Sequence, residues 1–339
     1  MVVLTRKIFV VRLMLFLLLL VAAIGLAPLI GSTTLDFSEV FAWPIRLADN
    51  RHAQIFFSLR LPRVLMAGLT GATLAVAGLV FQALLRNPLA DPFTLGVASG
   101  AALGAVLALK LGWAFQVLGF SAISLLALGG ALLSILINLL FVSLGKPRFS
   151  TYAMILAGVS ISFFFSSLIL LVHYLADFTE TQQMVRWIMG GLDIVNYSVI
   201  VRLLPFCLIG FLVLIYFSRH LNLISMGEDA AMARGIQINR VKLVIFCVAS
   251  VLTGLVVAHS GPIGFVGLMV PHILRLLIGA DHRLLLPASL LFGATFLIGC
   301  DTIARIIIAP AEIPVGIVTA LCGGPFFVGL ILRRKTLFS

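Results

Sequence analysis

Acid–base, nucleophilic or metal chemistry in this chain would have to come from six histidines, four cysteines and twelve carboxylates. Their spacing argues against all three. His173, His259 and His272 lie in or near apolar runs, but none belongs to an H-E-x-x-H pattern and no carboxylate stands at ligand spacing. They read as buried or interfacial histidines with local hydrogen bonds, so a metal-dependent membrane enzyme is not supported, and neither a metal nor a cofactor is expected. Cys207, Cys247, Cys300 and Cys322 each sit inside an apolar run with no C-x-x-C spacing, as small buried apolar residues do. No G-x-x-x-x-G-K-[ST] loop is present; Gly145-Lys146-Pro147 is the nearest fragment and lacks both the first glycine and the hydroxyl. The chain therefore reads as non-catalytic.

Four polar segments stand out instead. Ser225 followed three residues later by Glu228 has the form of a capping box, and Gly235 is placed to end the helix. A short capped helix outside the bilayer follows, and Ala230, Ala231, Met232 and Ala233 give it a smooth face suited to a groove of another protein; an ordinary solvated loop helix is the alternative. Arg60-Leu-Pro-Arg63 opens an apolar run with two cations, which would serve either lipid headgroups or an acidic docking partner. Asn87-Pro-Leu-Ala-Asp-Pro92 must reverse the chain, because neither proline continues a helix. Asp301 and Arg305, four apart, share one helix face. Charges inside a membrane are costly and mark an interior or a functional path: Asp301 reads as half of a structural salt pair, and Arg305 as that pair's other half or as a residue facing a partner.

The elements that must hold these segments are set by composition. Of 339 residues 62% are apolar and only 10% charged, with mean hydropathy +1.21, against about 45–50% and about 25% in soluble domains. Such a chain has lipid for its solvent, and a span needs roughly 20 apolar residues. Apolar runs at 10–30, 62–85, 92–110, 114–143, 151–176, 198–217, 240–259, 265–279, 285–308 and 314–332 predict an all-α, polytopic protein of about ten transmembrane helices in one domain, 1–339. The first run is too long, and too poor in a small-x-small site, for a cleaved signal. The run 265–279, hemmed by Gly261, Pro262, Gly264 and Pro271, suggests a broken or half-depth helix, which survives only when protein covers it.

A net charge of +11 does not point to nucleic acid, because the basic residues are scattered rather than gathered into a stripe. With the N-terminus inside, the inner loops and ends hold Arg6, Lys7, Arg12, Arg86, Lys146, Arg148, Arg219, Arg234, Arg240, Lys242, Arg275 and Arg283, among others. The outer side keeps roughly half as many, Arg46, Arg60, Arg63 and Arg305 among them, with most of the acids, including Asp36, Asp49, Asp177, Glu180, Asp193 and Glu312. Both termini are thus expected to be cytoplasmic. Gly96, Gly100 and Gly104 repeat at every fourth position, and Gly68, Ala72, Ala75 and Gly78 do something similar one helix earlier, for close helix packing within the subunit or for a pore or dimer face.

Taken together, the stretches RLPRVLMAGLTGATLAVAGLVFQALLRNPLADPFTLGVASGAALG (60–104), FSTYAMILAGV (149–159), WIMGGL (187–192), GEDAAMARGI (227–236), GPIGFVGLMVPHILRLLIGADHRLLLP (261–287) and PVGIVTALCGGPFFVGLIL (314–332) resemble the FecCD/BtuC-like permeases of type II ABC importers. The resemblance implies a homodimer in the bacterial inner membrane, bound by two ABC ATPase subunits on the cytoplasmic side and loaded by a periplasmic substrate-binding protein with an iron–siderophore, haem or cobalamin. It implies a coupling-helix loop at 219–239, with Ser225, Gly227, Glu228, Asp229, Ala230, Ala231, Ala233, Arg234 and Gly235 meeting the ATPase. Arg60, Arg63 and Arg305 match the basic residues that dock the binding protein. Asn87 and Leu89 with Thr151 and Tyr152 fall where the family places cytoplasmic gates, Tyr152 being bulkier than the family's pattern. An ion-coupled secondary transporter is the rival reading; it needs a membrane-centre acid, for which Asp301 is the one candidate, and it leaves the capped helix unexplained.

Overall fold

A computed structural model of the chain describes residues 6–41, 50–144, 150–192 and 196–335. Arg46, Asp49, Lys146, Arg148 and Asp193, used above to assign sides, lie outside the described residues, as does the Gly145-Lys146-Pro147 fragment. The helices in chain order are α1 (Arg6–Leu26), α2 (Phe37–Val40), α3 (Arg51–Gln54), α4 (Leu61–Leu84), α5 (Val97–Lys110), α6 (Ala122–Leu144), α7 (Thr151–Tyr174), α8 (Phe178–Ile188), α9 (Tyr197–Tyr216), α10 (Ser218–Met226), α11 (Glu228–Met232), α12 (Ile238–Ser260), α13 (Val266–Ile278), α14 (His282–Ile306) and α15 (Val315–Lys335). A π-helical turn over Ile55–Arg60 fuses α3 to α4. Among the described residues seven helices are long and apolar enough to cross a membrane, and three shorter apolar ones, at Val97–Lys110, Val266–Ile278 and Val315–Leu330, complete the ten apolar runs expected.

The core is α4, wrapped by α14, α12, α13 and α9. Its small residues let backbones touch: a methyl group on Gly78 would fall on the Gly267 backbone of α13. The α5 stripe serves the same end, since a Cβ at Gly100 would overlap the Gly130 carbonyl and stand 2.9 Å from Ser134 Cβ of α6. Small residues thus pack this subunit against itself, while α1, α7 and α9 expose leucine, valine and phenylalanine in quantity, as a lipid-facing or subunit-facing surface does. The short α13 lies against α4 and α14, so its irregular entry from Gly261 to Phe265 is covered by protein.

Three local expectations are corrected, and one helix is added. Residues 114–121 do not begin a span; they carry an antiparallel hairpin, β1 (Gln116–Val117) with β2 (Phe120–Ser121). Cys322 is exposed and Cys247 half-buried, leaving only Cys207 and Cys300 as buried apolar fillers. The amphipathic α8 was not foreseen, although Asp177 and Glu180 form the reciprocal cap that starts it: Glu180 N–H donates to Asp177 Oδ1 at 2.7 Å and Asp177 N–H to Glu180 Oε2 at 3.0 Å. The Ser225–Glu228 box does not form. Ser225 closes the last turn of α10, donating its hydroxyl to the Asn222 carbonyl at 2.8 Å, and Gly227 (φ 134°) separates α10 from α11.

Candidate functional site

Two ends of the bundle carry the polar segments. At one end, Arg12 Nη1 donates to the Ile278 carbonyl at 3.1 Å, so the start of α1 and the finish of α13 lie together. The turn after α4, α10, α11 and the start of α12 gather there too. α11 is stopped by Gly235 (φ 79°): Gly235 N–H donates to the Met232 carbonyl and Ile236 N–H to the Ala231 carbonyl at 3.2 Å, the glycine-ended cap that the sequence calls for. Asp229, Ala230, Met232, Ala233, Arg234 and Gly235 are exposed. Ala231 is not: it is buried and pins α11 to the bundle, a correction to the smooth outward face expected of it. Glu228 Oε1 accepts from Lys242 Nζ at 2.8 Å and lies 3.6 Å from Arg86 Nη2. One carboxylate therefore ties α11 both to α12 and to the turn that follows α4.

That turn is built by Arg86, held at φ 48°, and by Asn87, whose Oδ1 accepts the Leu89 N–H at 3.0 Å. Leu89 is exposed. Asp91, the next charged residue, is buried, and burial pushes its carboxyl up to about 7 although the Phe93 N–H donates to it. Thr151 and Tyr152 open α7, Thr151 half-buried with an unpartnered Oγ1 and Tyr152 exposed. α7 packs on the next helical turn, Pro92–Leu95: Gly158 abuts the Leu95 backbone, and Asn138 of α6 points its Nδ2 at the carbonyls of Leu95, at 3.4 Å, and of Met154 in α7, at 3.5 Å.

At the opposite end lie the three arginines, each satisfied by partners within the chain. Arg63 Nε donates to Asp301 at 2.9 Å and its Nη1 to Glu312; Arg305 Nε donates to Asp301 at 3.2 Å, and its other nitrogens to the carbonyls of Ile30 and Ala27. Arg60 is satisfied by the carbonyls of Pro28 and Leu29 and by Thr33. Exposure is 7%, 8% and 3% for Arg60, Arg63 and Arg305, and none for Asp301. The expectation that these cations face outward is corrected: each is held inside, because a buried guanidinium must saturate its donors. Glu312, 40% exposed, is the cluster's outward-facing member and was not singled out from the sequence. Nothing local could have done so, since Arg63 and Glu312 are 249 residues apart. Asp301 is clamped between two arginines through both of its oxygens, the structural pair that its spacing to Arg305 suggested.

Of the three histidines in apolar runs, His259 bonds the Leu255 carbonyl one turn back through a ring nitrogen and His272 packs against Phe326 and Phe327, whereas His173 Nε2 is buried without a hydrogen-bond partner among the described residues. Among the described residues no three His, Cys, Asp or Glu side chains stand together to hold a metal ion.

With this geometry in hand, comparison with known proteins is decisive. The sequence profile of the FecCD transport family matches residues 16–333. The chain belongs to the FecCD family. Among FecCD relatives, the hemin transport system permease protein HmuU of Yersinia pestis is 39% identical over 331 residues, covering 95% of each chain. The vitamin B12 import system permease protein BtuC of Klebsiella pneumoniae is 39% identical over 287 residues, covering 83% of this chain and 84% of its own. Among solved structures, a metal-chelate type ABC transporter in an inward-facing conformation superposes with a TM-score of 0.82 at 32% identity, covering 96% of this chain and 99% of that one. This FecCD chain is accordingly a multi-pass inner-membrane permease subunit of an ABC importer, and such subunits leave ATP hydrolysis to a separate chain.

Proposed function

We propose that two copies of this permease enclose a path for a metal chelate, a ferric siderophore first, with haem and cobalamin as the alternatives that its relatives' names raise. Two ABC ATPase subunits grip the exposed residues of α11 on the cytoplasmic side, where both termini also lie, and a periplasmic binding protein delivers cargo at the Arg60–Arg63–Arg305 end. The observation that carries this reading is the Glu228 bridge: a five-residue helix that, with the turn closing it, presents Asp229, Ala230, Met232, Ala233 and Arg234 outward is tied by one carboxylate to Lys242 and Arg86. Force applied to α11 is thereby delivered to the Asn87–Leu89 turn, which with Thr151 and Tyr152 serves as the cytoplasmic gate. The whole chain acts as one permease domain, 1–339, with 219–239 as its coupling loop.

Reconstituted uptake tests the proposal. Transport should require ATP and a partner ATPase, and uptake driven by an ion gradient without one would refute it. Docking is tested separately: Arg63→Gln, which releases the exposed Glu312 from its ion pair at that end, should weaken binding-protein affinity about tenfold, roughly 1.4 kcal/mol, in a variant that still unfolds cooperatively. Unchanged affinity removes that assignment.

A further inference from the structure

A cavity of 400 Å³ opens at the α11 end, lined by Gln82, Arg86, Asn87, Ser225, Arg275 and His282 with three apolar or backbone neighbours. No carboxylate lines it. Arg275 is half-buried, and its one hydrogen-bond partner among the described residues is neutral: Nη1 donates to Gln82 Oε1, while Gln82 Nε2 donates to the Gly267 carbonyl. A desolvated guanidinium normally has a counter-charge, and here none is supplied. Among the described residues the one acid that Arg86 reaches is Glu228, at a long 3.6 Å. Asp281, the nearest acid in sequence to the His282 wall, is saturated: it accepts from Asn222 Nδ2 at 2.8 Å and from Arg283 Nη2 at 2.6 Å.

His282 adds a second signal. It is 4% exposed, and Asn222 Oδ1 accepts both its N–H, at 2.8 Å, and its Nδ1–H, at 2.7 Å. The Asn222 amide is oriented by its donation to Asp281, so the tautomer is set and Nε2 is left as a buried acceptor with no partner. Asn87 has its Oδ1 engaged by Leu89, which leaves Nδ2 as a donor beside the same space. Two guanidinium forks and an amide donor, next to an acceptor that wants a proton, surround a space of small-ligand size.

We infer that this cavity binds a phosphate group, either of an anionic phospholipid headgroup or free in solution. Phosphate offers oxygens to both guanidiniums and, singly protonated, a P–OH to His282 Nε2, whereas a carboxylate side chain would satisfy one fork and leave the ring nitrogen unmet. The ligand would sit between Asn87 of the α4 turn and Ser225 of α10, so occupancy would brace that turn against the coupling loop.

The test uses the full chain in detergent, with Arg275→Gln and Arg86→Gln as variants and, as the control, Arg202→Gln, whose Nη1 donates to the Gly119 carbonyl of the β1–β2 hairpin, away from the cavity. Unfolding temperature is followed in two arms: phosphatidylglycerol against phosphatidylcholine mixed micelles, and inorganic phosphate against sodium chloride at equal ionic strength. A stabilisation in the lipid arm that needs at least tenfold more ligand in both cavity variants, but not in the control, identifies a headgroup site; the same pattern in the phosphate arm identifies a free-phosphate site. No stabilisation in either arm, or one that both cavity variants retain, overturns the inference. So would loss of ATPase-subunit binding in Arg275→Gln with no phosphate effect, which would assign the cavity to a carboxylate of that partner.

Discussion

Glu228→Gln removes the carboxylate that stands 2.8 Å from Lys242 Nζ, an ammonium whose side chain is 1% exposed. Two unit charges at that separation attract by about 6 kcal/mol at an effective dielectric of about 20. Part is returned, because Glu228 is one-third exposed and regains hydration when unpaired. A net loss of about 2–3 kcal/mol is expected, toward the lower edge of the roughly 3–5 kcal/mol seen when one partner of a buried pair is removed. Lys242→Met should cost less than about 1 kcal/mol, because it removes the desolvated charge together with its need for a counter-ion. The double variant should then recover most of the loss, a coupling energy of about 2 kcal/mol in a double-mutant cycle. Denaturant unfolding in detergent reads the stabilities, and ATP hydrolysed per cargo imported, measured with the ATPase subunits, reads the mechanics. The double variant should regain stability while remaining uncoupled, because the Glu228–Lys242 tie between α11 and α12 is gone. If Glu228→Gln costs less than about 0.5 kcal/mol, or if the double variant is no more stable than Glu228→Gln, the bridge is not what holds α11.

Two further outcomes follow from the same structure. Asp91, raised by burial to about 7, keeps a proton in the folded chain that the unfolded chain releases near pH 4, so its contribution to stability is full below pH 4 and falls as pH rises to about 7. The change is on the order of 4 kcal/mol; Asp91→Asn should flatten unfolding free energy across that window, and an unaltered slope would place the titration elsewhere. Asp301→Asn would leave Arg63 and Arg305 facing one another without their shared carboxylate, at a cost of about 3–5 kcal/mol, read as a lowered unfolding temperature; wild-type stability would show that the carbonyls of Ala27 and Ile30 suffice.

What the sequence determined by itself was whatever depends on neighbours along the chain. Lipid as solvent follows from composition, and the ten apolar runs from segment length. The close approaches of α4 and α5 follow from small residues at helical spacing, and the end of α11 from Gly235. The Asp177–Glu180 cap was equally legible and marks a helix that the apolar-run reading passed over, because α8 is amphipathic rather than apolar. Tertiary structure decided the rest. Ser225 has the spacing of a cap but is used as the last turn of α10, since Gly227 breaks the chain between it and Glu228. Ala231 turns inward because packing against the bundle, not the composition of a five-residue helix, chooses which face is covered. Arg63 meets Asp301 across 238 residues, and Arg275 is left beside a cavity without an acid. No periodicity encodes either outcome: charge compensation in a low-dielectric interior depends on which helices pack together, and only the assembled bundle sets that.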